Sequence, residues 1–210
     1  MQRIIDVGDQ VPRRGNAFFA WLGLMLLRLM GWRVVGALPN VSKAVVIGAP
    51  HTSNRDGLVA AGVILALRLR ITIMAKDNLF RGPFAFFFRF LGAIPVERDH
   101  PHGLVGASAE KFREKDKLFL GMAPEGTRKG AEKWKTGFYQ IALAAQVPIV
   151  VAVLDFGKKE VRLPLTLIPS GDQAADMQAI MACYKGVVPA RPERLSAPLR
   201  ALNGQGSVRP

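Results

Sequence analysis

Short apolar runs separated by longer segments of helical period predict most of the elements from residue 44 onward. AVVIG (44–48), ITIMA (71–75), AIPV (93–96) and PIVVAVL (148–154) are rich in β-branched residues, and LFLGMA (118–123) is apolar throughout. Such runs are the pattern of strands buried on both faces. Residues 161–168 predict a further strand, in which Pro164 requires an edge or a bulge. Between these runs the period lengthens. Leu58, Val59, Gly62, Val63, Ala66 and Leu67 share a helical face, as do Val105, Ala109 and Phe112, with Lys111, Arg113, Lys115 and Lys117 opposite. Residues 136–146 and a segment carrying Met177, Ile180, Met181 and Tyr184, with Asp172 near its start, predict two more helices. The stretch 78–91 is helix-like but interrupted at Gly82–Pro83. Alternating strands and helices predict an α/β fold with a mostly parallel or mixed central sheet covered by helices.

Ahead of this block lies NAFFAWLGLMLLRLMGWR. Its run of 11 uncharged residues from Ala17 ends at Arg28, and Arg33 follows soon after. Spanning a bilayer core takes about 20 residues of helix, so this run is too short to cross. No small-residue cleavage site follows it, as a signal peptide would require. It reads as an amphipathic helix lying in a membrane interface, with Arg13, Arg14, Arg28 and Arg33 at the headgroups, or as an ordinary core helix. The expected organisation is a membrane-associating segment over 1–40, a catalytic domain over 41–186, and a flexible basic Pro/Arg tail over 187–210.

Charge narrows the partners. The 210 residues carry 29 Lys and Arg against 16 Asp and Glu, a formal charge of +13. That balance implies an anionic partner. Half the chain is hydrophobic, apolar runs are flanked by arginines, and no zinc-finger, basic-zipper or single-strand-binding pattern occurs. An anionic membrane surface is therefore expected as the partner, and nucleic acid is not. Cys183 is the sole cysteine, which excludes a disulfide framework and multi-cysteine metal sites and suits a reducing compartment.

Two stretches that follow predicted strands carry candidate chemistry, because ligands gather at the carboxyl ends of parallel strands. In PHTSNRDG (50–57), His51 sits in a turn and Asp56 stands at the start of a helix. A chain reversal there would set a carboxylate on Nδ1 and raise the basicity of Nε2, as hydroxyl deprotonation requires. The alternative is a helix cap beside a satisfied loop histidine. Ser53 is nearby, but the G-x-S-x-G elbow of a serine hydrolase is absent, so the nucleophile belongs to the substrate. In PEGTRKG (124–130), Gly126 allows close backbone approach, Thr127 offers a hydroxyl, and Arg128 presents a fork suited to phosphate, or the stretch is a solvated turn. GAIPVER (92–98) brings Arg98 to a third strand end. DHPHG (99–103) reads as a Pro/Gly loop rather than a metal cluster.

HTSNRD, GAIPVER, PEGTR and VPIV, in that order and at those spacings, resemble the four motif blocks of the glycerolipid acyltransferases, the lysophosphatidate and lysophospholipid acyltransferases. The resemblance spans about residues 44–155 and includes AKDNLFRGPF and KWKTGFYQIA. It implies that His51 is the general base and Asp56 its orienting carboxylate. It further implies that Arg98, Glu125, Gly126, Thr127 and Arg128 bind the acceptor phosphate, and that Val147, Pro148 and Ile149 shape an acyl pocket. The fourth block lacks the second proline that many members carry. The second block has Pro95 and Glu97 where Phe or Ile and Asp are common.

The implied reaction moves a fatty acyl group from acyl-CoA or acyl-carrier protein, as co-substrate, to a lysophospholipid hydroxyl. No metal or other cofactor and no acyl-enzyme are expected. Backbone N–H groups near the helix after Asp56 are the expected oxyanion donors. The expected location is peripheral or monotopic, on the cytoplasmic face of a membrane. The Phe-rich stretch 84–90 would contact lipid, line the acyl channel, or form a plain core helix. The alternatives are a thioester hydrolase with the same His and Asp, an acyltransferase for a non-glycerol lysolipid, and a non-catalytic basic membrane-binding protein.

Overall fold

The computed structural model describes residues 5–76, 93–96 and 101–204. Arg98, the helix-like stretch 78–91 with its phenylalanines, and His100 lie outside the described residues. Helix α1 (Ala17–Leu29) begins where the Asn16 side chain accepts the Phe19 N–H at 3.2 Å. It ends at Gly31, whose φ of +72° a side chain would resist. Next come β1 (Arg33–Gly36), β2 (Lys43–Ala49), α2 (Asn54–Ala66), β3 (Ile71–Lys76), β4 (Ala93–Val96) and α3 (Pro101–Glu114). The chain continues through β5 (Leu118–Met122), α4 (Gly137–Ala145), β6 (Ile149–Asp155), β7 (Glu160–Leu167), α5 (Gln173–Ala182) and α6 (Ala197–Leu202).

Among the described residues, seven strands form one sheet in the order β1-β7-β6-β2-β5-β3-β4. Every neighbouring pair is parallel except β6–β7, which makes the sheet mixed. The reversal between β6 and β7 is built by Asp155, whose Oδ1 accepts the N–H groups of Gly157 and Lys158, both at 3.1 Å. The expected irregularity at Pro164 is a bulge. Val151 pairs with Leu165 and Val153 with Arg162, so β7 carries one extra residue there. The pairing with β1 stops at Leu163, one residue before the missing N–H would be felt.

The core lies on both faces of the sheet. One layer joins Val45, Ile47, Ile149 and Val151 to Phe138 and Ile141 of α4, Ile180 of α5 and Leu199 of α6. The other joins Ala44, Phe119, Val150 and Leu154 to Leu27 of α1 and Val59 and Val63 of α2. Gly23 permits the α1–α2 contact, since a Cβ there would meet the Ala66 backbone N at 2.5 Å and the Gly62 O at 2.8 Å. On the rest of α1, Phe18, Trp21, Leu22 and Leu29 stand exposed. Among the described residues, no helix is long and apolar enough to cross a membrane.

Three expectations need correction. Residues 187–203 are not a loose tail, for Val187, Leu195 and Leu199 are buried in the core and Ser196 is fully buried beside them. DHPHG is not wholly a loop either: Pro101 opens α3, at a first helical position where its missing N–H costs nothing. Lastly, β1 is a strand that the hydrophobic pattern did not separate. It is only four residues long, lies at the sheet edge and is mostly exposed, so the core imposes no period-two signal on it.

Candidate active site

Strands β2 and β5 run side by side with Ile47 level with Met122. The loops that leave them, PHTSN and APEGTR, therefore emerge together at the carboxyl end of the sheet. Asp56 organises the first loop. Its Oδ2 accepts the N–H groups of Thr52 and Ser53 at 2.6 and 2.7 Å, and its Oδ1 accepts the Ser53 hydroxyl at 3.0 Å. Ser53 in turn accepts the Arg55 N–H, completing a capping box at the start of α2. The same Oδ2 lies 3.4 Å from Nδ1 of His51. His51 is therefore held in one orientation with Nε2 away from the carboxylate, and its side chain is one-third exposed. Burial works against the charge of Asp56. The hydrogen bonds from His51, Ser53 and Thr52 outweigh it and hold the carboxyl below the usual carboxylate range.

Glu125 occupies the same site from the other loop, but its side chain is buried and accepts the His51 backbone N–H. Burial pushes its pKa up, against the opposing effects of that N–H, the neighbouring Ser196 hydroxyl and His51. A buried carboxylate committed to a main-chain donor is a poor phosphate ligand, and here Glu125 supports the loop that carries His51. Thr127 and Arg128 are exposed on the same turn, and Gly126, at φ +65°, lets the Lys135 methylenes pack on it. Arg128 hydrogen-bonds the Asn54 side chain, which ties the PEGTR turn to the first turn of α2.

The structure thus brings His51, Asp56, Glu125 and Arg128 together. It does not bring Val147, Pro148 and Ile149 to them. Ile149 pairs with Val45, four residues before the end of β2, roughly 13 Å down the strand from Ala49. Val147 and Ile149 are buried in the core, and the Pro148 carbonyl accepts the Val45 N–H. Val147 and Ile149 thus pack into the core, with Pro148 half-buried between them.

Three neighbours escaped the sequence reading. Arg55 lays its guanidinium over the Phe156 ring, 5.4 Å from the centroid, at the mouth of the site. Its place inside HTSNRD was the available signal. The N–H of Arg191 donates to Thr52 Oγ1 at 3.2 Å, and Ser196 lies against Glu125. The Pro- and Arg-rich composition around these two concealed them, although Leu195 and Leu199 stand at helical spacing.

Chemically, His51 and Asp56 are arranged as a base and an orienting carboxylate would be. The Ser53 hydroxyl is buried and committed to Asp56 and the Arg55 N–H. Those bonds also occupy the N–H groups of Thr52, Ser53 and Arg55, so an oxyanion must find other donors. Among the described residues, no group of three or more His, Cys, Asp or Glu side chains is placed to hold a metal ion.

Comparison with known proteins finds relatives among acyltransferases. A 1-acyl-sn-glycerol-3-phosphate acyltransferase of Haemophilus influenzae is 29% identical over 154 residues, covering 68% of this chain and 62% of that protein. The protein of the same description in Salmonella typhimurium is 28% identical over 130 residues, covering 59% of this chain and 51% of its own. The chain thus spans between half and two-thirds of the length of these relatives. The crystal structure of the 1-acyl-sn-glycerophosphate acyltransferase from Thermotoga maritima superposes with a TM-score of 0.57 over 79% of this chain and 75% of that one. At 16% identity that match establishes the shared fold. The model of the acyltransferase family matches residues 33–155, more than half of the chain, a range that includes His51, Asp56, Glu125 and Arg128. The chain belongs to the acyltransferase family.

Proposed function

We propose that this acyltransferase moves a fatty acyl group from a thioester donor, acyl-CoA or acyl-carrier protein, to a hydroxyl of a lysophospholipid such as 1-acyl-glycerol-3-phosphate. The observation that carries the reading is the His51–Asp56 pair beside a serine already committed to its capping box. A poised base whose neighbouring serine is already committed suits a reaction whose nucleophile arrives with the substrate. Nε2 of His51 takes the proton of the acceptor hydroxyl as its oxygen attacks the thioester carbonyl. The tetrahedral adduct collapses with cleavage of the C–S bond, and the leaving thiolate recovers the proton from His51. The new ester stays on the lipid.

Arg128, with Thr127 and the Gly126 backbone, would hold the acceptor phosphate, and Arg98 would join them from the strand end after β4. Holding the acceptor in this way converts a bimolecular encounter into an oriented one. The exposed Phe18, Trp21, Leu22 and Leu29 of α1, together with a net charge of +13, favour residence on an anionic bilayer, where such an acceptor is already concentrated. The relatives' description favours a glycerol-3-phosphate headgroup.

The test is release of free thiol from acyl-CoA by the purified protein, with and without 1-acyl-glycerol-3-phosphate. Release that requires the acceptor and matches its acylation is the expected outcome. Release at the same rate without acceptor would assign the site to hydrolysis instead.

A further inference from the structure

The catalytic loop is held on three sides. Asp56 takes the N–H groups of Thr52 and Ser53, and Glu125 takes that of His51. The third side is the C-terminal segment, which lies beyond the residues matched by the family model. It leaves the sheet where the Phe156 N–H donates to the Val188 carbonyl at 2.8 Å. It then passes the loop, where the Arg191 N–H donates to the fully buried Thr52 hydroxyl oxygen. Finally it reaches the far side of the PEGTR turn, where the Ala197 N–H donates to the Ala131 carbonyl at 2.8 Å.

Between these last two contacts sits Ser196, fully buried, with Leu195 buried ahead of it. Its Oγ accepts the Trp134 indole N–H at 3.1 Å. The hydroxyl proton is then left to find an acceptor in a site closed to water. Beside it lies the Glu125 carboxyl, whose buried Oε1 makes no hydrogen bond of standard geometry and which the Ser196 hydroxyl faces. Each group meets the other's need. Two buried polar groups left unmatched would each cost stability, so this pairing is favoured over leaving both empty.

We infer that Ser196 is a positioning residue for acyl transfer: oriented by Trp134, its hydroxyl supports the Glu125 carboxyl that holds the His51 main chain. Arg191 holds the adjacent Thr52 of the same loop. The inference rests on the acyl-transfer reading of His51. Neither residue touches substrate; both act by keeping the imidazole where the acceptor hydroxyl arrives. Groups that face Glu125 are His51 from the loop, Asp56 from α2, Tyr184 after α5, and Ser196 itself.

The experiment compares the parent chain with Ser196→Ala by steady-state kinetics, using acyl-CoA and 1-acyl-glycerol-3-phosphate, and by amide hydrogen exchange. The expected result is a fall in kcat of roughly tenfold, with both KM values within twofold, since misplacement of a base weakens the chemical step and not ground-state binding. Exchange should quicken in the peptide covering 50–57 while β2 and β6 keep their protection. A kcat within twofold of the parent, a loss expressed in KM, or faster exchange throughout the sheet would overturn the inference. Should Ser196→Ala not fold, Thr52→Val, which removes the acceptor for Arg191, is read by the same criteria. If the parent itself transfers no acyl group, the functional reading falls, and exchange in 50–57 alone decides whether Ser196 supports the loop.

Discussion

Asp56 uses one carboxylate to cap α2, to gather the loop N–H groups and to face the His51 imidazole. Its stability role and its chemical role can be separated by pH. The folded pKa lies below the ordinary value, so the carboxylate contributes stability above the usual carboxylate range and loses that contribution as pH falls through the depressed value. Asp56→Asn removes the charge, weakening hydrogen bonds to two buried donors, for an expected loss of about 2 kcal/mol at neutral pH. In urea unfolding, the gap between parent and variant should narrow on acidification below the usual carboxylate range. A gap that stays constant would show that the charge of Asp56 does not stabilise the fold. Glu125 acts with the opposite sign, because its raised pKa favours the neutral form. Its contribution is present at low pH and lost as pH rises through the raised value.

Much of this residue scale was legible in the sequence. An H-x4-D pair around a helix start can close on itself through local contacts, and it did. The role of Glu125 was not legible, since its partner is the main chain of a residue 74 positions away. A backbone donor leaves no mark on composition.

At the scale of elements, α1 shows why apolar runs are ambiguous. Gly23 and Leu27 face α2 and are buried, whereas Phe18 and Trp21 project outward from the same run. A single helix thus serves the core with one face and is free to serve a membrane with the other. Replacing Phe18 and Trp21 together with serine should leave the unfolding midpoint nearly unchanged, because both are already exposed. Binding to anionic vesicles should weaken by more than about tenfold, since full burial of each large apolar side chain is worth about 1.5–3 kcal/mol. Co-sedimentation with such vesicles measures it, and undiminished binding would remove α1 from the membrane contact. The strands were legible because burial on both faces leaves short, nearly continuous apolar runs. The C-terminal segment was not. Its packing rests on a few residues, Val187, Leu195 and Leu199, set among prolines and arginines that by composition suggest disorder.

Across the whole molecule, parallel pairing of β2 with β5 and β6 delivers three successive strand ends to one edge, where a base, a carboxyl and a guanidinium converge. The order of motifs in the sequence indicated this convergence, because parallel strands carry consecutive loops to the same end. The register had to come from the structure, and with it the finding that residues 147–149 sit at the opposite end. The central claim is that His51 is the base for a nucleophile brought by the lipid. It is tested most directly by mass spectrometry of the lipid product from the parent and from His51→Ala, each given acyl-CoA and 1-acyl-glycerol-3-phosphate. The expected result is one acyl chain added to the acceptor by the parent, and a rate lower by about 10²–10⁴ in a folded His51→Ala protein. Equal product from the two proteins would contradict it.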